Sequence, residues 1–319
     1  MISQKILNSR TTIVFIIPFV LGMLSVLSFE PFNLTFVNFI ILPFLFLTIS
    51  YVNKKSKSTY RKRPYYRNFF YVGYLFGIGF FLSGTFWISY SLTFDENFKF
   101  LIPLSFFLIS SFLSIFYGLI SYLFIIFKPK KIVSSFLVFS LIFGILEFVR
   151  GTILTGFPWN LIAYSFVNQL EFLSITSIIG TYGFNLFCIS LFTSPAIYIF
   201  RDTKRDIGVC IFFLITYILF SIYGSSYKDK FYKEVKKEND YKIRIVGSNI
   251  SLDRFYTNLD TETVIKELIE VSNPEFNERT VFIWPEGIIP NISQNEMNQF
   301  EELFRKNFNE NHLFIIGIN

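Results

Sequence analysis

The residues best placed to do chemistry lie near position 286. A short apolar run, Val281-Phe282-Ile283, leads into Trp284-Pro285-Glu286-Gly287. The run reads as a buried strand, so the Glu286 carboxylate stands where strand gives way to loop. Layered α/β sheets carry their reactive groups at the C-terminal ends of their strands. The functional reading is a general base at a strand end, since a partly buried carboxylate can be tuned to take protons near neutral pH. Pro285 would stiffen the approach and Trp284 would shield the site. On spacing alone, a solvated loop glutamate is the simpler reading.

Two other groups invite a chemical reading. Glu147 and Arg150 stand three apart at the end of a strongly apolar run. Charges there are costly unless paired, so a structural ion pair anchoring the helix end is expected, with lipid-headgroup binding as the alternative. Gly156-Phe157-Pro158-Trp159-Asn160 follows. Glycine and proline break helix and aromatic residues favour the membrane interface. The segment is a loop dipping toward lipid beside an active site or an ordinary interfacial turn, and the residues do not choose between them. Cys188 and Cys210 both fall in apolar runs, and His312 is the only histidine. Neither a disulfide framework nor a zinc cluster is expected.

The elements that must position these residues are mostly membrane helices. The chain is 52% hydrophobic and only 16% charged, a balance that points to membrane spans. Seven runs are long and apolar enough: about Thr12–Ser28, Asn33–Val52, Phe69–Ser91, Leu101–Phe127, Ile132–Val149, Leu173–Phe200 and Ile207–Tyr223. The first lacks a signal-peptide cleavage site and reads as a retained helix. Gly73, Gly77, Gly79, Ser83 and Gly84 line the third and suit close helix packing. The net charge of +6 is carried largely by short loops, so topology explains it better than nucleic-acid binding. Lys5 and Arg10 precede the first run. Lys54, Lys55, Lys57, Arg61, Lys62, Arg63 and Arg67 follow the second, Lys128, Lys130 and Lys131 the fourth, and Arg201, Lys204 and Arg205 the sixth. The positive-inside rule then puts the N-terminus in the cytoplasm and everything after Tyr223 on the opposite side, the periplasm in a bacterium.

From about Lys228 the texture changes, giving an expected division into a multi-pass membrane domain, 1–227, and a second segment, 228–319. Lys242–Ser248 alternates like a strand, and Thr261–Val271 carries Val264, Leu268 and Val271 at helical spacing. Thr280–Pro285 is a second strand. Ser293 with Glu296 forms a capping-box signal ahead of Met297, Phe300 and Phe304, and Leu313–Ile318 is a third strand. The order β-α-β-α-β indicates an incomplete α/β layer.

Five segments, in order, resemble the bacterial apolipoprotein N-acyltransferase family. They are Phe29-Glu30-Pro31-Phe32-Asn33, then Gly77-Ile78-Gly79-Phe80-Phe81 leading to Trp87, then Glu147-Phe148-Val149-Arg150-Gly151, Thr155-Gly156-Phe157-Pro158-Trp159, and Trp284-Pro285-Glu286-Gly287-Ile288-Ile289-Pro290. Ile245–Ile250 is similar to the family's first nitrilase strand, although Gly247 stands where a glutamine is usual. The resemblance implies a polytopic α-helical membrane domain followed by part of a nitrilase-like (carbon-nitrogen hydrolase) α-β-β-α domain.

It also implies a mechanism. A cysteine thiolate takes an acyl group from a membrane phospholipid as a thioester, and the free α-amine of a diacylglyceryl-modified apolipoprotein cysteine accepts it. Glu286 matches the family's general base, while Trp284, Phe157, Pro158 and Trp159 become site-shaping or lipid-facing. No cofactor and no nucleic acid is implied, and the expected location is the bacterial inner membrane. The family's nucleophilic cysteine and oxyanion-stabilising lysine match nothing here: Cys188 and Cys210 lie in predicted membrane helices and Lys306 in a predicted surface helix. The chain is therefore expected to be the N-terminal part of such an enzyme. A membrane-tethered nitrilase-type amidase and a catalytically inactive membrane scaffold are the alternatives.

Overall fold

A computed structural model describes residues 9–56, 65–234, 240–247, 260–289 and 292–317. Lys5, Lys57, Arg61, Lys62, Arg63, Pro290 and the part of the predicted first-strand loop at 248–250 lie outside the described residues. The chain divides into two compact units, Met1–Glu234 and Val235–Asn319.

The first unit is helical. Its α-helices are α1 (Ile17–Ser25), α2 (Asn38–Ser56), α3 (Tyr66–Gly84), α4 (Ile102–Phe127), α5 (Ile132–Thr152), α6 (Leu170–Leu173), α7 (Thr176–Thr193), α8 (Pro195–Phe200) and α9 (Ile207–Lys233). Among the described residues, five helical stretches are long and apolar enough to cross a membrane: Thr35–Ser56, Glu96–Phe127, Ile132–Thr152, Thr176–Phe200 and Lys204–Lys233. The 26 residues of α4 rise about 39 Å, ample for a hydrocarbon core of roughly 30 Å. The first predicted run forms a shorter apolar helix, Thr12–Ser28.

The third predicted run does not continue straight to Ser91. It stops at Gly84, and a tight helical turn over Phe86–Thr93 leaves at 48°; a sixth span results if this bent pair is one crossing. At the break the Thr85 hydroxyl donates to the Phe81 carbonyl (2.7 Å), competing with continuation of the helix. Beyond it Phe86, Trp87, Tyr90 and Phe94 are all exposed, as aromatic residues at a membrane interface are.

Glycine sets how closely the spans approach. A Cβ on Gly73 would overlap the Tyr117 carbonyl oxygen, one on Gly79 the Phe19 carbonyl oxygen, and one on Gly77 would crowd Ser114. Helix α3 thus packs backbone to backbone against α1 and α4.

The described residues of the second unit form a three-stranded parallel sheet in the order β1 (Lys242–Ile245), β2 (Thr280–Trp284), β3 (His312–Ile316). Ile243 pairs with Val281, and Val281 with Leu313. The connections carry α10 (Thr261–Ser272) and α11 (Glu301–Asn307). Helix residues Val264, Ile265 and Leu268 pack with Phe282, Trp284 and Phe308 into one apolar cluster. The other sheet face carries Ile243, Ile245, Leu313 and Ile315, all exposed, Ile245 by 75%. Period-two alternation sorts the strand residues between these faces.

Candidate active-site residues and family

Glu286 lies two residues past the end of β2, the central strand. Gly287 turns the chain there with φ +67°, a conformation glycine adopts without strain. Just beyond β3, the Gly317 N–H donates to the Trp284 carbonyl (3.3 Å). A Cβ at 317 would overlap the Glu286 backbone, so only glycine lets the two strand ends come this close. The carboxylate is therefore exposed, not partly buried as the sequence reading has it, because it lies beyond the strand at the C-terminal edge of a parallel sheet.

Trp284 takes a different position from a surface shield. It is 1% exposed and packs among Phe304 and Phe314. Its indole N–H donates to Ser272 Oγ (2.9 Å), pinning the last turn of α10 to the strand that ends at Trp284, two residues before Glu286. Exchange of Trp284 for Phe removes one buried hydrogen bond, worth about 1 kcal/mol. Amide exchange in β2 and α10 is expected to accelerate at least about fivefold by mass spectrometry.

The remaining candidate residues belong to the first unit. Glu147 and Arg150 are both about 1% exposed, with Arg150 Nη2 at 3.6 Å from Glu147 Oε1. Tyr117 Oη donates to Glu147 Oε1 (2.9 Å) and Asn185 Nδ2 to Oε2. Asn185 Oδ1 in turn accepts from the Ala163 N–H (2.9 Å). The buried carboxylate is thus met by three side chains, as such a charge requires. Tyr117 and Asn185 are not among the residues that sequence reasoning singles out; the available signal is a polar group set inside an otherwise apolar span.

Arg150 also holds the loop that follows it. Its Nη1 donates to the Phe157 carbonyl (2.8 Å) and the Trp159 carbonyl (2.9 Å), and its own carbonyl accepts from the Phe157 N–H (3.0 Å). The guanidinium lies over the Phe81 and Phe157 rings, 5.4 and 5.9 Å from their centroids, a stabilising cation–π arrangement. Pro158 is half-buried and Trp159 exposed. A groove of about 360 Å³ runs between α4 and this loop, lined by Leu108, Phe112, Phe116, Arg150, Leu154 and Phe157. Its rim residues Leu108, Phe112 and Leu154 are exposed.

Cys188 is fully buried. Cys210 is partly buried and its thiol donates to the Ser194 carbonyl (3.2 Å). Both are in the helical unit, on α7 and α9.

Residues 21–193 match the family model described as the apolipoprotein N-acyltransferase N-terminal domain. The chain belongs to this family. Curated relatives named apolipoprotein N-acyltransferase agree: one from Rickettsia typhi is 30% identical over 282 residues, 86% of this chain and 52% of its own length. One from Rhodopseudomonas palustris is 27% identical over 305 residues, 91% of this chain and 55% of its own. Brucella melitensis supplies a third, 28% identical over 227 residues, 69% of this chain and 42% of its own. The first unit is under three quarters of the chain, so the Rhodopseudomonas match reaches into the sheet. The chain spans about half the length of the curated relatives it matches. Its membership makes it part of an acyltransferase family with a multi-pass membrane portion.

Proposed function

We propose that these residues belong to an enzyme that moves an acyl chain from a membrane phospholipid to the N-terminal S-diacylglyceryl-cysteine of an apolipoprotein. One observation carries the reading: in a chain of this family, Glu286 stands at the C-terminal edge of the central strand of a parallel sheet, where α/β folds hold reactive groups. In the proposed reaction a cysteine thiol loses its proton to Glu286 as its sulfur attacks the ester carbonyl. The tetrahedral oxyanion rests against a lysine, the lysophospholipid alcohol leaves with a proton, and a thioester remains. The lipoprotein α-amine then attacks the thioester, surrenders a proton to the carboxylate, and the thiol is regenerated. A positioned base and a pre-placed cation supply the usual terms for acyl transfer. The thiol and the lysine are assigned to the half of the relatives' length that this chain does not span. The proposed topology has seven spans, a cytoplasmic N-terminus and a periplasmic sheet unit in the inner membrane. The groove beside Phe157 gives lipid an apolar approach at the proposed outer end.

The exposed aliphatic face of the sheet supports a nitrilase-like α-β-β-α arrangement, in which a second sheet covers it. Residues 1–319 joined to the C-terminal half of the Rickettsia typhi relative give a protein in which this is testable. Ile245→Lys is expected to change the stability of the sheet unit in 1–319 by no more than about 0.5 kcal/mol, since the site is already exposed. In the joined protein the introduced ammonium is buried without a partner, and the yield of folded protein in membranes falls sharply. Equal yields of the joined protein with and without this substitution would count against the second sheet. Acyl transfer to a diacylglyceryl-cysteinyl peptide tests the function itself. Amide hydrolysis without transfer would replace it with the amidase reading.

A further inference from the structure

The helical unit carries a second cavity, at the end opposite the Phe157 loop, and nothing in the acyl-transfer reading uses it. It occupies about 740 Å³ where α2 and α4 end and α5 begins. This lies within the range of built ligand sites. Its floor and walls are apolar, with Phe46, Leu47, Ile132 and Phe200. Among the described lining residues, its mouth carries Lys54, Lys55, Lys128 and Lys130 and one acidic residue, Asp202; the Lys128 ammonium also donates to Ser135 Oγ (3.4 Å) and lies over the Phe124 ring, and the Lys55 ammonium lies over the Tyr51 ring. One oxygen of the Asp202 carboxylate accepts from the Ile132 N–H at the start of α5 (3.0 Å). Ser50 also lines the cavity, and its buried hydroxyl makes no hydrogen bond.

We propose that this cavity binds one anionic glycerophospholipid, independently of catalysis. Its acyl chains would lie on Phe46, Leu47 and Phe200, its phosphate among the four lysines, and an ester oxygen at the Ser50 hydroxyl. The charge argues for an anion: among the described residues that line the mouth, four carry a positive charge and one a negative charge. The lining argues for a lipid, because a soluble anion would leave the apolar floor bare. Lysines set the orientation of membrane proteins wherever they flank spans, but orientation alone requires neither a cavity between them nor a hydroxyl left unpaired inside it. Basic pockets between spans at the cytoplasmic side bind acidic headgroups in this way.

The test is native mass spectrometry of the 1–319 protein released from nanodiscs of mixed phosphatidylglycerol and phosphatidylethanolamine. One phosphatidylglycerol is expected to remain bound, at least about tenfold in excess over phosphatidylethanolamine. Lys54→Gln and Lys130→Gln, both at exposed positions, are each expected to weaken retention about fivefold, the effect of one cation near an anionic lipid. Ser50→Phe keeps every charge, fills the apolar part of the cavity and is expected to abolish retention. If Ser50→Phe retains the lipid while the lysine variants lose it, only surface charge is at work and the proposal fails. Displacement of the lipid by millimolar inorganic phosphate would make this a free-anion site and also overturn it. So would equal retention of both lipids.

Discussion

Glu286→Gln is expected to lower acyl transfer by about 10² to 10⁴-fold in the protein formed by 1–319 and the C-terminal half of the Rickettsia typhi relative, the usual worth of a positioned general base. The amide keeps the size of the carboxylate and one acceptor oxygen, replaces the other oxygen with an NH2 donor, and accepts no proton at working pH. The thiol then stays protonated more of the time and the thioester forms slowly. The backbone that holds the residue is unchanged, because Gly287 and Gly317 set the strand ends without using the carboxylate. Folding and membrane insertion are therefore expected to match the unsubstituted protein. The measurement is the rate of thioester accumulation with phospholipid alone, read by mass spectrometry after acid quench. Thioester formation at the unsubstituted rate would remove Glu286 from the role of base.

Arg150→Met is expected to destabilise the helical unit by about 3–5 kcal/mol, the cost of leaving a buried ion without its partner. Methionine approximates the length of the arginine stem, so little packing volume is lost. Three losses coincide. Glu147 keeps Tyr117 and Asn185 but loses the cation beside it, and the Phe157 and Trp159 carbonyls lose their shared donor. The Phe81 and Phe157 rings lose the guanidinium that lies over both. The double substitution Glu147→Gln with Arg150→Met removes both charges, and is expected to recover a substantial part of the loss. Denaturant titration in detergent micelles, followed by the circular dichroism of the helices, measures both variants. A loss under about 1 kcal/mol for Arg150→Met, the scale of an exposed pair, would show that the pair is not what anchors this end of α5.

Much of the sheet unit was legible because its signals are local. Alternation and short apolar runs marked the three strands, and the expected helix at Thr261–Val271 spans Thr261–Ser272. Half of the expected Ser293–Glu296 box forms: Glu296 Oε2 accepts from the Ser293 N–H (2.8 Å), but the Ser293 hydroxyl donates to the same oxygen (2.8 Å) instead of accepting from a helix N–H, and the helical turn starts at Glu296 directly after Asn295. The bend at Gly84 was not legible, because hydropathy runs on through Phe86, Trp87 and Ile88 while the backbone does not. Trp284 was misplaced by adjacency: sitting beside Glu286 in sequence suggests a neighbour at the site, whereas the pleat sends it inward with Phe282. The partners of Glu147 were hidden for another reason. Tyr117 and Asn185 are 30 and 38 residues away, and only the packing of α4, α5 and α7 brings them together. The pairing of Glu147 with Arg150 needed no such help, since residues three apart share a helix face.

The central claim is that this chain carries the membrane unit and the general base of a lipoprotein N-acyltransferase. Its most direct test places the joined protein as the sole N-acyltransferase in bacteria depleted of their own, and determines the N-terminal lipopeptide of an abundant lipoprotein by mass spectrometry. The account predicts a triacylated cysteine with the joined protein and a diacylated one with its Glu286→Gln form. Diacylated lipoprotein in both, with each protein inserted in the membrane at equal level, would contradict it.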